Sequence, residues 1–296
     1  MLKHFIGAGL VAAGTLMFAP EARAVTTPTV NTTSNVVFLV DESGSMGGEQ
    51  TFLQSVVTDL DSALMAAGVT DRSYGVLGFG GPNSGNPRTF GTAPVLQNAV
   101  ETATNLASLI TSGGTEDGYE AIAAALSAFN FDAGAAVNFI LVTDEDRDDT
   151  STDTYSSILS SLTNRNILLN AILNASFEDG LGATALGIDD GGDAYLADGS
   201  GGFTTSTGAV ATGGFGTTVA DYVDLALATG GAAWDLNQLR SGGSIAESFT
   251  QSFLSIKVQE ITTQPPSGQI PLPAGGWLLL TGLGGLAALR RKRRAA

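Results

Sequence analysis

Four short apolar runs set the terms for any fold this chain can take: NVVFLV at 35–40, YGVLGF at 74–79, VNFILVT at 137–143 and NILLNAIL at 166–173. Each is rich in branched or aromatic residues and lacks the polar alternation of a strand with one wet face. Runs of this kind are buried on both sides, as strands of parallel sheets are. Segments at 52–67, 96–110, 119–129 and 155–162 carry apolar residues at helical spacing. The alternation predicts an α/β fold, a doubly wound and mostly parallel sheet flanked by helices. At 296 residues, an open sheet fits better than an eight-fold barrel.

Further along, residues 174–218 are dominated by Gly, Asp, Ser, Thr and Ala, including GIDDGGDAYLADGSGG at 187–202. So few large apolar residues among so many turn formers read as an insert or lobe outside the core. Regularity returns with a helical pattern at 219–228, the turn Thr229-Gly230-Gly231, a short strand near 232–236 and a final helix near 245–258. The expected organisation is a domain at 35–261 containing the insert, with linkers at 25–34 and 262–270. The second linker includes TTQPPSGQ.

Residues 1–24 read as a signal peptide: Lys3 and His4, an apolar run at 5–19, and Ala22-Arg23-Ala24 as the cleavage site. A retained anchor is the alternative, although the run is shorter than the ~20 residues needed to span hydrocarbon. Residues 271–296 begin with Pro271-Leu272-Pro273-Ala274, continue as an apolar stretch at 275–289 and end in the cluster Arg290-Arg291-Lys292-Arg293-Arg294. Clustered cations favour the cytoplasmic side, so the apolar stretch is expected to be a transmembrane helix with the domain exported. This tail resembles the PEP-CTERM class, in its VPLPA-type variant. The resemblance implies processing by an exosortase and attachment to the surface of a Gram-negative bacterium; a plain tail anchor is the alternative.

Cysteine is absent, which excludes disulfides and thiolate metal sites. Outside the two end segments, 28 acidic residues face only 6 basic ones. Nucleic acid is excluded as a partner on that balance, because phosphates need a basic footprint. Divalent cations are a natural complement.

The motif DESGSM follows the first apolar run directly and places Asp41, Ser43 and Ser45 on a loop where open α/β sheets put ligand sites. One carboxylate and two hydroxyls spaced by single residues can turn three oxygens toward a small hard cation. The hydroxyls fill the coordination shell without cancelling the charge. An ordinary turn with capping hydroxyls is the competing reading of these residues.

This pattern resembles the von Willebrand factor A (vWA) domain, whose metal ion-dependent adhesion site opens with Asp-x-Ser-x-Ser after the first strand. The family also takes a threonine from a Gly-Gly-Thr loop and an aspartate after the fourth strand; GGTEDG supplies Thr115 and ILVTDEDRDD supplies Asp144. The resemblance implies a vWA/Rossmann-like fold, with Asp41, Ser43, Ser45, Thr115 and Asp144 around Mg²⁺, or Ca²⁺ or Mn²⁺. It further implies an acidic group of a protein or extracellular polymer as ligand, in adhesion or matrix assembly. A structural surface component whose ion only stabilises the fold is the competing class. The sequence departs from the family pattern in Glu116 and Asp117 after Thr115, and in Glu145 after Asp144. Asp117, Glu145 and Asp146 are therefore expected at an acidic rim or as additional ligands.

Asp189, Asp190, Asp193 and Asp198 suggest a second calcium site, but the EF-hand spacing and its final glutamate are absent. An enzyme is not expected. The single histidine, His4, lies in the signal peptide, and no phosphate-binding GxxxxGK[ST] loop is present.

Overall fold

The computed structural model describes residues 30–82, 87–91 and 93–265. The expected signal peptide, sorting motif and transmembrane helix lie outside the described residues. Among the described residues, no helix is long and apolar enough to cross a membrane.

The strands are β1 (Thr33–Asp41), β2 (Asp71–Phe79), β3 (Arg88–Thr89), β4 (Ala136–Thr143), β5 (Ile167–Leu173), β6 (Ala175–Glu178), β7 (Thr184–Ala185), β8 (Gly187–Asp189), β9 (Asp193–Ala197), β10 (Phe203–Thr207), β11 (Val210–Gly214) and β12 (Ala232–Asp235). The helices are α1 (Glu49–Ala66), α2 (Ala99–Leu106), α3 (Gly118–Ala128), α4 (Tyr155–Thr163), α5 (Asp224–Ala228), α6 (Leu236–Arg240) and α7 (Gly243–Thr263). A π-helical turn, Val219–Val223, leads into α5.

The main sheet runs β10-β9-β8-β12-β5-β4-β1-β2-β3. Its centre is parallel, with β1 between β2 and β4, then β5 and β12. Successive residues of β1 alternate between two cores. Val37 and Leu39 pack with α3, α4 and α5, while Val36, Phe38 and Val40 pack with α1, α2 and α7. Burial on both faces is why the run carries no polar alternation. The architecture is the expected doubly wound α/β sheet with helices on both sides.

Two sequence expectations need correcting. Residues 174–218 are not an irregular lobe: β8, β9 and β10 extend the main sheet through an antiparallel β8–β12 pair, and β6, β7 and β11 form a second, three-stranded sheet. Each strand needs only one or two inward side chains. Phe177, Ile188 and Ala194 join one core, and Tyr195 stacks on Trp234 with ring centroids 5.4 Å apart. The aspartates between these strands shape turns. Asp179 accepts from Leu181 N and Ala183 N, Asp189 from Asp193 N, and Asp198 from Ser200 N and Gly202 N.

The second correction concerns residues 262–265, the start of the linker expected at 262–270, whose remainder lies outside the described residues. Helix α7 runs through Thr263, and buried Gln264 closes its end against the sheet. Gln264 Nε2 donates to the carbonyls of Asn166 and Val137, and its Oε1 accepts from Asn138 Nδ2 at 2.7 Å. Polar residues here satisfy buried partners instead of facing water. The helix also buries Lys257 completely: Nζ donates to Glu260 Oε2 at 2.5 Å and to Asn138 Oδ1 at 3.2 Å. Glu260 Oε2 accepts from Asn170 as well, and Asn170 Oδ1 from Trp234 Nε1. Burial pulls the Lys257 amine below its ordinary value, and Glu260 opposes that shift.

Helix α2 is shorter than its apolar pattern. Gln97 exchanges two backbone hydrogen bonds with Tyr74, at 2.7 and 2.8 Å, and Asn98 then caps the helix.

Candidate metal centre

Asp41 is the last residue of β1 and is fully buried. Its Oδ1 accepts from Ser43 N at 2.6 Å and its Oδ2 from the hydroxyl of Thr143, the last residue of neighbouring β4, at 2.8 Å. The loop then turns so that Ser43 Oγ lies 3.0 Å from Ser45 Oγ, and Ser45 Oγ donates to Asp144 Oδ1 at 2.8 Å. Four of the five expected ligands, Asp41, Ser43, Ser45 and Asp144, thus form one hydrogen-bonded row across the carboxyl ends of β1 and β4.

Thr115 reaches the same rim by backbone pairing. Glu42 O accepts from Ser112 N and Gly113 N, Gly113 bridges to Ser43, and Gly114 N donates to Gly80 O at 2.9 Å. Only glycine fits at 113, because a Cβ there would lie 1.6 Å from Gly80 O. The Thr115 hydroxyl donates to the Gly114 carbonyl and makes no hydrogen bond to the other four residues.

Burial, more than like charge, sets the electrostatics of the row. Burial, with a smaller contribution from Asp144, pushes Asp41 up to about 6 against the hydrogen bonds from Ser43 and Thr143. Glu116 follows: burial, then Asp41 and Asp148, push it up to about 8. Gly80, at φ +71°, leaves room for this pair, since a Cβ there would sit 3.0 Å from Glu116 Cγ and 3.3 Å from Asp41 Oδ1.

Of the remaining acids, Asp117 and Asp146 have partners outside the row. Asp117 caps α3 through Tyr119 N and takes both Nε and Nη2 of Arg147, at 2.8 and 3.2 Å, plus Ser151 N. Burial opposes its ionisation, but the Arg147 and Ser151 hydrogen bonds outweigh that and hold it at about 2. Asp146 accepts from Thr217 N at 3.1 Å. Glu145 is half-buried beside Asp144, and burial followed by Asp144, Asp146 and Asp148 raises its carboxyl. Glu42 is buried against Arg88 and Ile110 N. Of the three supplementary residues, Asp117 is committed to Arg147 and Asp146 to Thr217, and Glu145 borders the row.

Asp117 supports a prediction on stability. Its carboxyl ionises near 3.8 in the unfolded chain and at about 2 in the fold, so its contribution is complete above pH 4 and disappears as pH falls through 2. Asp117→Asn is expected to cost about 2 kcal/mol at pH 7 and almost nothing at pH 2, measured by urea unfolding at both values. An equal loss at both would show that the Arg147 pair contributes nothing through charge.

Sequence reading missed three participants: Thr143, Glu116 as the close neighbour of Asp41, and Arg240. Arg240 Nη2 donates to Asp144 Oδ2 at 2.8 Å and its Nε to Glu49 Oε1 at 2.5 Å. For Thr143 a signal existed, as a hydroxyl ending a buried strand needs a partner. Arg240 carries no such mark.

The row fits a small hard cation. Mg²⁺ with six oxygens at about 2.1 Å sets neighbouring ligands about 3.0 Å apart. The Ser43–Ser45 and Ser45–Asp144 separations are 3.0 and 2.8 Å. Among the described residues, no group of three or more Asp, Glu or His side chains gathers to hold an ion. A cation here would depend on hydroxyls as much as on carboxylates.

No protein-family model and no curated protein matches the sequence. Solved structures similar in part include a von Willebrand factor type A protein from Catenulispora acidiphila, at 20% identity over 48% of this chain and 33% of that one, with a TM-score of 0.35. Proximal thread matrix protein 1 from the mussel byssus is 14% identical over 49% of this chain and 37% of its own, with a TM-score of 0.36. The VWA domain of SpRpn10 is 12% identical over 48% of this chain and 75% of its own, with a TM-score of 0.34. The chain thus spans about a third of the length of the first two.

Proposed function

We propose that this chain is a vWA-type binding module, not an enzyme. Asp41, Ser43, Ser45 and Asp144, with Thr115 through its hydroxyl or a water, hold Mg²⁺, with Ca²⁺ or Mn²⁺ as substitutes. The observation that carries this reading is the line of oxygens from Ser43 through Ser45 to Asp144, 3.0 and 2.8 Å apart like the edges of a metal's coordination shell, beside buried Asp41 at the carboxyl ends of two parallel strands. To bind, Ser45 gives up its hydrogen bond to Asp144 and both serines turn lone pairs inward. With Asp144 holding the ion through a water, Asp41 is the one carboxylate in direct contact, and the neutral hydroxyls leave the ion net charge with which to take a carboxylate of a protein or extracellular polymer.

The signal-like N-terminus and the PEP-CTERM-like tail support placing the module outside the inner membrane, attached to the membrane or cell surface after exosortase processing. Adhesion or matrix assembly is the role that suits this arrangement. The deep burial of Asp41 favours a second reading, a structural surface component in which the ion only stabilises the fold.

Calorimetric titration of the full chain with Mg²⁺, Ca²⁺ and Mn²⁺ tests the site. Ser43→Ala combined with Ser45→Ala should weaken binding at least about tenfold, the equivalent of about 1.4 kcal/mol. A wild-type protein that gives no heat with any of the three ions ends the proposal.

A further inference from the structure

The geometry points to Arg240 as a tethered cation that holds Asp144 until a divalent ion takes it, and that then closes onto Glu49. This rests on the reading of the row as a cation site. Arginine presents Nε and Nη2 as a planar fork matched to the two oxygens of one carboxylate. Three other arginines of this protein use it that way: Arg72 on Asp61, Arg88 on Glu42 and Arg147 on Asp117. Arg240 divides its fork. Nε goes to Glu49 Oε1 and Nη2 to Asp144 Oδ2, with a longer contact of 3.2 Å to Ser45 O.

The division leaves a defect. Glu49 is only 4% exposed, yet its Oε2 has no hydrogen-bond partner. A buried carboxylate oxygen without a partner is unfavourable, and the closed fork seen at the other three pairs would satisfy it. What holds the fork open is Asp144, which sits beside Asp41 and accepts from Arg240 in place of a metal. Once a divalent ion holds Asp144 through its water, Nη2 transfers to Glu49 Oε2, and the defect at the start of α1 is repaired. Arg240 therefore sets the affinity of the site and couples its occupancy to α6, which ends at Arg240.

A double-mutant cycle on Mg²⁺ affinity, read by calorimetry on the full chain, separates this exchange from simple charge repulsion. Arg240→Gln should bind about tenfold more tightly than wild type. Glu49→Gln should bind about tenfold more weakly, because Arg240 then has no carboxylate to receive it. In the Arg240→Gln background, Glu49→Gln should have little further effect. Arg240→Lys, which keeps the charge without the fork, provides a folded comparison and should lose the dependence on Glu49. Equal effects of Glu49→Gln with and without Arg240, or no gain in affinity on removing Arg240, overturn the inference. Absence of Mg²⁺ binding in every protein, wild type included, removes the cation site itself and the inference with it.

Discussion

Asp41→Asn is expected to make the metal-free protein more stable at pH 7 and to abolish its response to Mg²⁺. The unfolded chain ionises Asp41 near 3.8 and the folded one at about 6. Between those values the fold retains a proton that the unfolded chain has lost, so stability falls as pH rises through the window. By pH 7 the whole penalty is present, about 3 kcal/mol for a shift of this size. Asparagine removes the charge and keeps an oxygen for Ser43 N, so the variant should gain about 2 kcal/mol in EDTA at pH 7 and nothing near pH 3.5. Wild type should instead be stabilised by Mg²⁺, by about 2.7 kcal/mol at a hundred times Kd, which is roughly 5–10 °C for a domain of this size. Melting curves of both proteins with Mg²⁺ and with EDTA check this. An Asp41→Asn protein no more stable than wild type in EDTA, and still responsive to Mg²⁺, would contradict it. The comparison also divides the two functional readings. If Asp41→Asn stays folded but no longer holds its partner, the module is a binder; if folding itself needs the ion, the ion is structural.

Lys257→Ala should produce the largest loss of stability, about 3–5 kcal/mol, because it leaves the Glu260 carboxylate without its cation and opens a cavity under α7. Lys257 is fully buried and bonded to Glu260 and Asn138, so the side chain ties α7 to β4 across the core. Replacing both members, Lys257→Met with Glu260→Leu, should recover most of the loss, since an apolar pair carries no desolvation cost. Urea unfolding of the two variants measures this. A loss below about 1 kcal/mol in Lys257→Ala would mean the charge pair contributes little to holding the final helix.

The central strands were legible because burial on both faces leaves an uninterrupted apolar run, and β1, β2, β4 and β5 each carry one. The placement of Asp41, Ser43, Ser45 and Asp144 at neighbouring strand ends was legible for a related reason: the motifs follow those runs directly. Residues 174–218 were not, because short strands at a sheet edge contribute single inward side chains such as Phe177 and Tyr195, which a search for apolar runs passes over. Among the acids, some were partnered in ways the sequence does not mark. Five of the six cations outside the end segments, Arg72, Arg88, Arg147, Arg240 and Lys257, sit in ion pairs with acids. Asp117, expected at the rim, is a buried counter-ion of Arg147, and Glu42 and Glu49 are buried counter-ions of Arg88 and Arg240. Arg240 was beyond reach for the same reason, since its partners lie 96 and 191 positions away.

The most direct measurement is anomalous diffraction from crystals grown with Mn²⁺. The account predicts one strong peak beside Ser43 and Ser45, about 2.2 Å from their hydroxyl oxygens, with Asp41 and Asp144 in the first or water-bridged shell. Crystals with full Mn²⁺ in the medium and no peak at that rim, or a peak only among the acids at 189–198, would contradict it.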